Sequence, residues 1–528
     1  MTTTRKTTRR AFLLRWGCAL TAAVAVLWKA FWLWQGAFPF NSDEAVVALM
    51  ARHILAGERP TFFYGQAYMG SLDAFLVAGG FALFGTKVWV VRLVQTILYA
   101  GTVMLTCALA RRLFDAPEAG WAAGLLMAIP TVNMTLYTTV SLGGYGEAML
   151  LGTALLLLAV HPWGERPWGA LAWGLLAGLG AWVLGLTLVY AAPAGLYLLW
   201  RWRRLPWRQR LGRLGLVVLG GLLGAWPWWW YGFRHGWAAL LKELTGSAVA
   251  VPSGGFPQRL LTLTVLGLPV IMGVRPPWDV GLLAAPLAVG VLVAFLALLL
   301  AAWHVRRQWR PAWWLPVGVI AVVFAGFLLT PFGNDPSGRY FLPVTQMVFV
   351  GFGGLAAHFR WRKYPLGWWL VAFLVLYFGV STAQAAANPY RLTTQFAPDA
   401  RVHPGDEARL IAFLESHGET RGYTTYWVAY PLAFLSDETL IFVPRLPYHR
   451  DFRYTPRDDR YPPYDAMVAA SPRVAYITVT HPPLDACLRE GFQRAGITWK
   501  EAVIGDYRVF YDLSRPIAPE QALAACEQ

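Results

Sequence analysis

Charged side chains are scarce in this sequence. Only 14% of the 528 residues are charged, whereas 57% are hydrophobic. Soluble domains carry roughly 25% charged residues, so this composition excludes an ordinary soluble enzyme and is typical of a protein that crosses a membrane many times. Acids are the rarer charge type, with 29 Asp and Glu against 45 Lys and Arg. An acid that borders an apolar segment therefore needs an explanation.

Cysteine is scarce as well, with four residues in the chain. Four are too few for a disulfide framework. Cys18 and Cys107 fall in apolar segments, where we expect them to face lipid or neighbouring helices. Cys487 and Cys526 lie in the polar C-terminal region and could pair, which the sequence does not decide.

Motifs for nucleotides and metals are missing. The sequence has no Walker A motif, no Rossmann glycine fingerprint, no HExxH and no paired CxxC. Its nine histidines are scattered and make no metal-binding pattern. We therefore expect no required cofactor, and leave a divalent metal ion open as an alternative.

The basic residues are grouped between apolar runs. The groups are "TTTRKTTRR" at 2–10, "ARR" at 110–112, "RWRRLPWRQRLGR" at 201–213, "HVRRQWR" at 304–310 and "HFRWRKY" at 358–364. Such grouping is typical of cytoplasmic loops. The net charge of +16 thus indicates topology and contact with anionic lipids rather than a nucleic-acid partner. It predicts a multi-pass protein of the cell membrane with a cytoplasmic N-terminus.

The apolar segments predict a polytopic α-helical membrane protein with about 11 spans. Their approximate ranges are 11–35, 88–110, 118–134, 147–160, 169–186, 187–200, 212–231, 280–303, 312–330, 340–358 and 365–386. Re-entrant or interfacial helices on the outer face are predicted at 44–57, 72–85 and 256–274. This topology gives a membrane domain over 1–387, with a first outer loop at 36–87, and places Asp43, Glu147 and Arg339 outside.

After residue 387 the composition becomes polar. A helix is predicted around 405–417. Strands are predicted from "RGYTTYWV" at 421–428, "TLIFVP" at 439–444, "VAYITV" at 474–479 and "YRVFYDL" at 507–513. These elements predict a small extracytoplasmic α/β domain over 388–528, a plausible size for a separate unit. We expect "YWVAYPLAF" at 426–434 to lie in the core of that domain rather than in a site.

Two adjacent acids, Asp43 and Glu44, follow the first predicted span. They stand in the first turn of the predicted interfacial helix, which Asn41 or Ser42 can cap. They could therefore simply favour the helix dipole. The alternative is a general base held at the membrane–water boundary, where partial burial would tune its basicity.

Three further positions could carry chemistry. Glu147 begins or lies inside an apolar span, where an ionisable group is a functional candidate, although it could also be a helix-start acid. Arg339, beside Tyr340, could extend to the interface or hold a phosphate through two parallel hydrogen bonds. Arg234 and Lys242 add positive charge to the same predicted side.

Several of these stretches resemble a known family. They are "SDEA" at 42–45, "LAGERPTFFYGQAYMGSLDAFLVAGGFALFG" at 55–85, "VRLVQTILYAGTVMLTCALARRLF" at 91–114 and "GRYFLPV" at 338–344. In this order they resemble the C-type membrane glycosyltransferases. The resemblance is to the family 39 type, which includes protein O-mannosyltransferases and the aminoarabinose transferases that modify lipid A. It covers about residues 10–386.

This resemblance implies that a sugar moves from a polyprenyl-phosphate carrier to an acceptor on the extracytoplasmic face. It implies that Asp43, with Glu44 beside it, acts as general base, and that Arg339 and Tyr340 bind the donor phosphate. Glu147 would then orient the acceptor or the sugar, or hold a divalent ion. Neither the sugar nor the acceptor is indicated.

The first outer loop departs from the family pattern. Related enzymes often have a basic "KPPL"-type element there, whereas this chain reads "YGQAYMGSL" and offers Tyr64, Gln66 and Tyr68 but no cation. Phosphate binding would then shift toward Arg339 and the loop that carries Arg234 and Lys242.

Two other functions remain open. A transporter or flippase for a lipid-linked sugar would share the helical bundle, but it predicts inverted repeats around a site at mid-depth. The sequence has no internal symmetry, and its candidate charges lie at one face. A scaffold without catalysis would tolerate replacement of Asp43 and Arg339.

Overall fold

The computed structural model describes residues 2–246, 254–305, 311–335, 337–360, 362, 364–397 and 400–524. The chain separates into two compact units. The helical unit comprises Met1–Ala37, Tyr68–Asp73 and Arg92–Ala387. The α/β unit comprises Phe38–Ala67, Ala74–Val91 and Asn388–Gln528. The α/β unit therefore contains two segments of the predicted first outer loop in addition to the C-terminal region.

Helices account for most of the described residues. In chain order they are α1 (Thr2–Trp34), α2 (Ser42–Leu55), α3 (Leu72–Phe84), α4 (Val88–Phe114), α5 (Pro117–Ala128), α6 (Val132–Tyr137), α7 (Tyr145–Val160), α8 (Pro167–Val183), α9 (Leu188–Trp202), α10 (Trp207–Gly224), α11 (Trp226–His235), α12 (Trp237–Gly246), α13 (Phe256–Leu261), α14 (Leu268–Met272), α15 (Ala285–Val305), α16 (Trp314–Leu329), α17 (Leu342–His358), α18 (Leu366–Ala386), α19 (Glu407–Ser416), α20 (Tyr426–Leu435), α21 (Pro463–Ala469), α22 (Pro482–Arg494) and α23 (Pro519–Leu523). A π-helical turn, Thr262–Gly267, connects α13 to α14. Long apolar runs form helices because a helix satisfies its own backbone groups in lipid.

Six helices within the described ranges are long and apolar enough to cross a membrane. They are Trp16–Trp34, Val88–Phe114, Ala285–His304, Pro311–Leu329, Arg339–His358 and Leu366–Ala386. The pair α10 and α11, bent by 57°, makes a seventh if it forms one span. The other predicted spans coincide with α5, α7, α8 and α9, which have 12, 16, 17 and 15 residues. The prediction of a protein with several long apolar helices is thus confirmed. The prediction that it has about 11 membrane spans stays a prediction.

Close helix packing in the helical unit depends on glycine. A Cβ on Gly174 of α8 would lie 2.2 Å from the carbonyl oxygen of Val217 on α10. One on Gly178 would lie 2.1 Å from the carbonyl oxygen of Gly221. Only small residues allow two helix backbones to approach this closely, as is common between helices in membranes.

A disulfide links Cys18 of α1 to Cys107 of α4, with the two Cα atoms 5.5 Å apart. Each cysteine thus faces a neighbouring helix, as expected, but the bond between them was not predicted. Their separation of 89 residues in the chain hides the pairing from the sequence, because only the packed bundle brings them together. The pairing of Cys487 with Cys526, which the sequence leaves open, involves a residue outside those that the structure describes.

The α/β unit contains one mixed sheet. Its five strands are β3 (Arg421–Tyr423), β4 (Ile441–Val443), β5 (Ala475–Val479), β6 (Lys500–Ile504) and β7 (Tyr507–Tyr511). Two short strands earlier in the chain, β1 (Phe62–Phe63) and β2 (Gln66–Gly70), pair separately with each other. The order is β4-β3-β5-β7-β6. β3 is parallel to β4 and β5, whereas β7 is antiparallel to β5 and β6. The predicted helix near 405–417 corresponds to α19.

The predicted strand over 421–428 is wrong beyond Tyr423, because Tyr426–Leu435 is the helix α20. Val428 and Leu432, four residues apart on one helical face, are buried in the core beside the sheet. Burial of this face outweighs the β-propensity of the aromatic and β-branched residues. α20 begins with Tyr426, whose side chain contacts Asp43.

Candidate functional site

Asp43 lies in the first turn of α2 with both carboxylate oxygens engaged. The side chain of Asn41 caps this helix and accepts a hydrogen bond from the backbone N–H of Glu44 at 3.3 Å. The hydroxyl of Thr394 donates to Oδ2 of Asp43 at 2.9 Å, and the hydroxyl of Tyr426 donates to Oδ1 at 2.8 Å. Two neutral donors thus orient a carboxylate that stays partly exposed, an arrangement that suits a general base.

The start of α2 is fixed to the same two partners. The amide of Asn41 donates to Thr394 at 3.0 Å, and the hydroxyl of Ser42 donates to the carbonyl oxygen of Tyr426. Glu44, in contrast, is 0% exposed. The two adjacent acids of the sequence therefore differ in access, and the accessible one is Asp43.

A second carboxylate of the α/β unit, that of Asp458, interacts electrostatically with Asp43. Asp458 is buried, and burial raises its pKa to about 7. Arg460 and a hydrogen bond from Tyr448 lower that pKa, whereas the charge of Asp43 raises it. The Arg460 guanidinium lies 5.3 Å from the ring centre of Tyr426. This group was not predicted from the sequence, where the run "RDDR" at 457–460 is its one local signal.

The turn that carries Asp458 and Arg460 is held by Tyr430 of α20. The Tyr430 hydroxyl donates to the carbonyl oxygen of Asp458 at 2.9 Å and accepts from the backbone N–H of Arg460 at 2.5 Å. Since α20 also carries Tyr426, one helix positions both the Asp43 partner and the buried Asp458.

Tyr64, predicted to lie in a donor or acceptor loop, is engaged within the α/β unit. Its hydroxyl donates to Glu58, and its ring stacks on Tyr461 with the centres 4.8 Å apart. Tyr461 also donates to Glu58, at 2.5 Å. Gln66 is half-buried in the same unit, whereas Tyr68 belongs to the helical unit. The three predicted loop residues therefore do not form one group in either unit, and their role in substrate binding stays a prediction.

Arg339, in the helical unit, forms an ion pair with Asp335. Its Nε and Nη2 lie 2.9 and 2.7 Å from Oδ2 of Asp335, whose Oδ1 accepts from the backbone N–H of Ser337 at 2.8 Å. The side chain of Arg339 is 28% exposed, and its guanidinium lies 5.3 Å from the ring centre of Tyr340. Arg339 and Tyr340, which were predicted to act together, therefore lie side by side, and the carboxylate of Asp335 holds the guanidinium of Arg339 in place.

The loop before Arg339 is fixed by the short helix α6. Asn133 donates to the carbonyl oxygen of Gly338, and Tyr137 donates to that of Ser337, each at 3.1 Å. Gly338 has φ +75°, and a Cβ there would lie 2.8 Å from Val270 and 3.0 Å from the side-chain oxygen of Asn133. Only glycine fits this conformation and this space without strain.

A second arginine lies on a loop that packs on α6. Arg275 is 5% exposed and donates from Nε to the carbonyl oxygen of Asp279 at 2.9 Å. Its Nη1 has no hydrogen-bond partner within the described part of the chain. The nearby Gly273 packs against Thr131, at the start of α6. A buried guanidinium with an unused N–H is suited to an anion. Arg275 was not predicted from the sequence, because one arginine in "VRPPWD" at 274–279 forms no pattern.

Glu147 lies beside another buried acid, Asp73. They are 2% and 1% exposed, and their carboxyl groups interact. Gln95 donates to Oδ1 of Asp73 at 2.8 Å, and Ser141 donates to its Oδ2. Two carboxyl groups held together in a buried site favour a shared proton or a cationic ligand.

Arg234 and Lys242 are both exposed, and the Arg234 guanidinium lies 4.7 Å from the ring centre of Trp230. Their predicted contribution to phosphate binding stays a prediction. Within the described residues, no group of three or more His, Cys, Asp or Glu side chains could hold a metal ion. The sequence also left open the alternative that a divalent metal ion binds, and that alternative stays a hypothesis.

The sequence is similar to known glycosyltransferases over part of its length. Residues 71–231 match the family described as dolichyl-phosphate-mannose-protein mannosyltransferase. Over 210 residues the chain is 32% identical to an undecaprenyl phosphate-α-4-amino-4-deoxy-L-arabinose arabinosyl transferase of Pseudomonas aeruginosa. This match covers 35% of the chain and 35% of the relative, so it spans about a third of each.

The fold is similar over nearly the whole chain. The crystal structure of ArnT from Cupriavidus metallidurans bound to undecaprenyl phosphate has a TM-score of 0.58 at 15% identity, covering 94% of this chain and 98% of that one. The apo structure of the same protein has a TM-score of 0.57 at 15% identity, covering 93% and 98%. In sequence and in fold, this chain resembles the C-type membrane glycosyltransferases of the family 39 type, as its sequence predicts.

Proposed function

We propose that this protein is a membrane glycosyltransferase that moves a sugar from a polyprenyl-phosphate carrier to an acceptor on the extracytoplasmic face. The matched relative is named for transfer of an aminoarabinose from undecaprenyl phosphate, and a structure of similar fold contains undecaprenyl phosphate. The acceptor class is a hydroxyl of a glycan, a lipid or a protein. A pentosyl and a hexosyl donor both fit the resemblance.

The environment of Asp43 is the observation that carries this proposal. Its carboxylate is partly exposed and is oriented by Thr394 and Tyr426. Asp43 takes the proton of the acceptor hydroxyl while that oxygen bonds to the anomeric carbon of the donor. The bond from the anomeric carbon to the phosphate oxygen breaks, and polyprenyl phosphate leaves. This single displacement inverts the anomeric centre.

The leaving phosphate needs positive charge more than it needs a proton. Arg339 supplies it in the proposal, with its fork held by Asp335 and with Tyr340 beside it. Arg275 is a second candidate because it is buried, has an unused N–H within the described residues, and lies on a loop that packs on the same helix α6. Arg234 and Lys242 would add exposed positive charge.

The remaining acids have supporting roles in this proposal. Glu147, next to Asp73, would orient the acceptor or sugar through hydrogen bonds or hold a cation. Glu44 is fully buried, so its contribution would be to the local field of Asp43 rather than a contact with substrate.

Release of polyprenyl phosphate tests the proposal directly. Purified full-length protein in lipid would be given a panel of radiolabelled polyprenyl-phosphate sugars with an acceptor-containing membrane extract. We expect one donor to be turned over. Asp43→Asn should reduce turnover by about 10²–10⁴-fold, since it removes the base but keeps the shape. Arg339→Gln should reduce it by about 10²–10³-fold.

Matched variants separate these effects from a general loss of charge. Asp451→Asn and Arg409→Gln change exposed residues of the α/β unit, and both should keep wild-type turnover. Full transfer by Asp43→Asn would exclude it as the base. Absence of release from every donor, together with movement of a labelled lipid-linked sugar across vesicles, would favour the flippase.

A further inference from the structure

The helical unit contains a cationic cavity at the opposite end of α7 from Glu147. It has a volume of about 530 Å³ and lies where α4 ends, α5 begins and α7 ends. Arg111, Arg112, Asp115, Leu157 and His161 line it. Both loops at this end of the helices are predicted to be cytoplasmic, which is the membrane side where basic pockets meet anionic lipids.

Several arginines converge on this cavity. Arg112 donates from Nε to the carbonyl oxygen of Val160 at 3.3 Å, and Arg201 donates from Nη1 to that of His161 at 2.9 Å. Burial lowers the pKa of His161, and the charges of Arg112, Arg201 and Arg166 lower it further. The field at His161 is therefore positive.

Within the described residues, three acids oppose these cations. Asp115 lines the cavity, Glu118 adjoins the lining residue Pro117, and Glu165 forms an ion pair with Arg201. With Arg111, Arg112, Arg166 and Arg201 nearby, the four cations outnumber the three acids. The cavity therefore keeps a net positive charge and is complementary to one anionic group.

An apolar groove continues from this cavity. It has a volume of about 320 Å³ and shares Leu157 and His161 with the cavity. Its other walls are apolar side chains of α4, α7 and α8, together with the ring of Trp163: Leu105, Ala154, Leu158, Trp163 and Leu176. Tryptophan is common at the level of lipid headgroups.

We propose that this cavity and groove bind one anionic phospholipid of the surrounding membrane. The phosphate lies at Arg111 and Arg112, and an acyl chain lies along the groove past Leu157. A free phosphate would use only the cationic half of the site, and a zwitterionic lipid would bring a second positive group next to the arginines. A lipid with a net negative headgroup satisfies both halves. This site is independent of the proposed transfer reaction.

Lipid retention measured by native mass spectrometry tests this proposal. Full-length protein in detergent would be titrated with phosphatidylglycerol, phosphatidylcholine or polyprenyl phosphate. We expect phosphatidylglycerol to be retained best. The double variant Arg111→Gln with Arg112→Gln should weaken its retention by about ten- to thirtyfold. The control, Arg203→Gln with Arg208→Gln, removes the same charge from arginines that stack on Trp200 and Trp207, and it should retain the lipid as wild type does.

A second variant tests the groove without altering charge. Ala154→Trp places a large ring in the groove and should weaken phosphatidylglycerol retention while leaving binding of glycerol phosphate unchanged. Thermal unfolding shows whether the double arginine variant folds. If it does not fold, Ala154→Trp alone tests whether the lipid occupies the groove. Equal retention by the arginine variant and its control would overturn the proposal. So would preference for polyprenyl phosphate, or glycerol phosphate binding as tightly as the intact lipid.

Discussion

The hydroxyl of Tyr426 donates a 2.8 Å hydrogen bond to Oδ1 of Asp43, although 383 residues separate the two in the chain. Tyr426 is 4% exposed, and burial, followed by the charge of Asp43, raises its pKa well above the ordinary value of 10. Tyr426 therefore stays a neutral donor across the physiological pH range. Asp43 thus keeps a fixed orientation as long as α20 stays folded.

Removal of this hydroxyl should impair the proposed transfer without unfolding the protein. Tyr426→Phe keeps the ring and loses a hydrogen bond to a charged group, an interaction that contributes about 1.5–3 kcal/mol. We expect turnover to fall by about ten- to a hundredfold, because the carboxylate of Asp43 loses one of the two donors that orient it. Radiolabelled donor turnover and the thermal unfolding midpoint, measured on the same samples, separate this effect from a loss of stability.

Tyr476→Phe is the matched control, because Tyr476 is equally buried in the α/β unit and donates to the carbonyl oxygen of Ile517. It removes a hydroxyl whose acceptor is Ile517 rather than Asp43, and it should leave turnover unchanged. The same loss of turnover in both variants would mean that Tyr426 acts through stability alone.

Asp458 should make the protein less stable as the pH rises. Burial raises the pKa of Asp458 from 3.8 to about 7. Between these two values the folded chain holds a proton that the unfolded chain has released. Its contribution to stability is therefore full below pH 3.8 and is lost as the pH rises to 7, by at most about 1.4 kcal/mol per pH unit.

Asp458→Asn should remove this loss, because an amide does not titrate. The thermal unfolding midpoint of the full-length protein in detergent, followed from pH 4 to 8, should fall less steeply in the variant than in wild type. Asp451→Asn replaces an exposed acid nearby in the sequence and should follow the wild-type curve. Identical slopes for wild type and Asp458→Asn would refute a buried, protonated Asp458.

Glu438 should have the opposite effect and make the protein less stable as the pH falls. Burial alone would raise its pKa, but hydrogen bonds from His53 and Tyr464 and the charge of Arg52 lower it from 4.5 to about 2. The unfolded chain binds a proton first as the pH falls, so the stabilisation is full above pH 4.5 and is lost toward pH 2. Glu438→Gln should therefore cost about 1–3 kcal/mol at neutral pH.

The measurement is again the thermal midpoint, here from pH 2 to 7, with the gap between wild type and Glu438→Gln closing at low pH. Glu490→Gln breaks an ion pair with Arg494 in which both side chains are more than half exposed. It should change little, because exposed pairs contribute little. A gap that persists at pH 2 would mean that Glu438 stabilises by packing and not by charge.

The helices could be predicted from the sequence to a large extent, because hydropathy is a local property. α2, for example, begins where Asn41 can cap it, and its first-turn acids are visible in the sequence. α20 could not be predicted, since its aromatic and β-branched residues favour a strand until the core position of Val428 and Leu432 is known. β6 was missed because most of its side chains are exposed at the edge of the sheet.

The sequence indicates Asp43, Glu147 and Arg339 as candidates, but it indicates neither their partners nor Asp458, Asp73 and Arg275. Asp43 and Arg339 could be singled out because charge next to an apolar segment is rare. The donors Thr394 and Tyr426, and the buried Asp458, come from distant parts of the chain, and no spacing in the sequence relates them to Asp43. Tyr64 donates to Glu58, a partner that the sequence does not indicate, and its role in substrate binding stays a prediction.

The backbone at Gly338 should be as important as the side chain of Arg339. Gly338→Ala would force a positive φ of +75° on alanine and place Cβ 2.8 Å from Val270, which costs about 1–3 kcal/mol of strain. The loop would shift away from Asn133, and Arg339 with it. Because a small misplacement of a binding group is costly, we expect donor turnover to fall by about ten- to a hundredfold.

Gly326→Ala is the matched control for this change. Gly326 lies in α16 with nothing within 4 Å of an added Cβ, and alanine favours a helix over glycine. It should keep wild-type turnover and unfold at the same or a slightly higher temperature. The comparison is made on one donor at concentrations below and above KM, because a displaced phosphate clamp raises KM for the donor. If Gly338→Ala lowers only the unfolding midpoint and leaves KM unchanged, the loop supports the fold but does not position Arg339 for the phosphate.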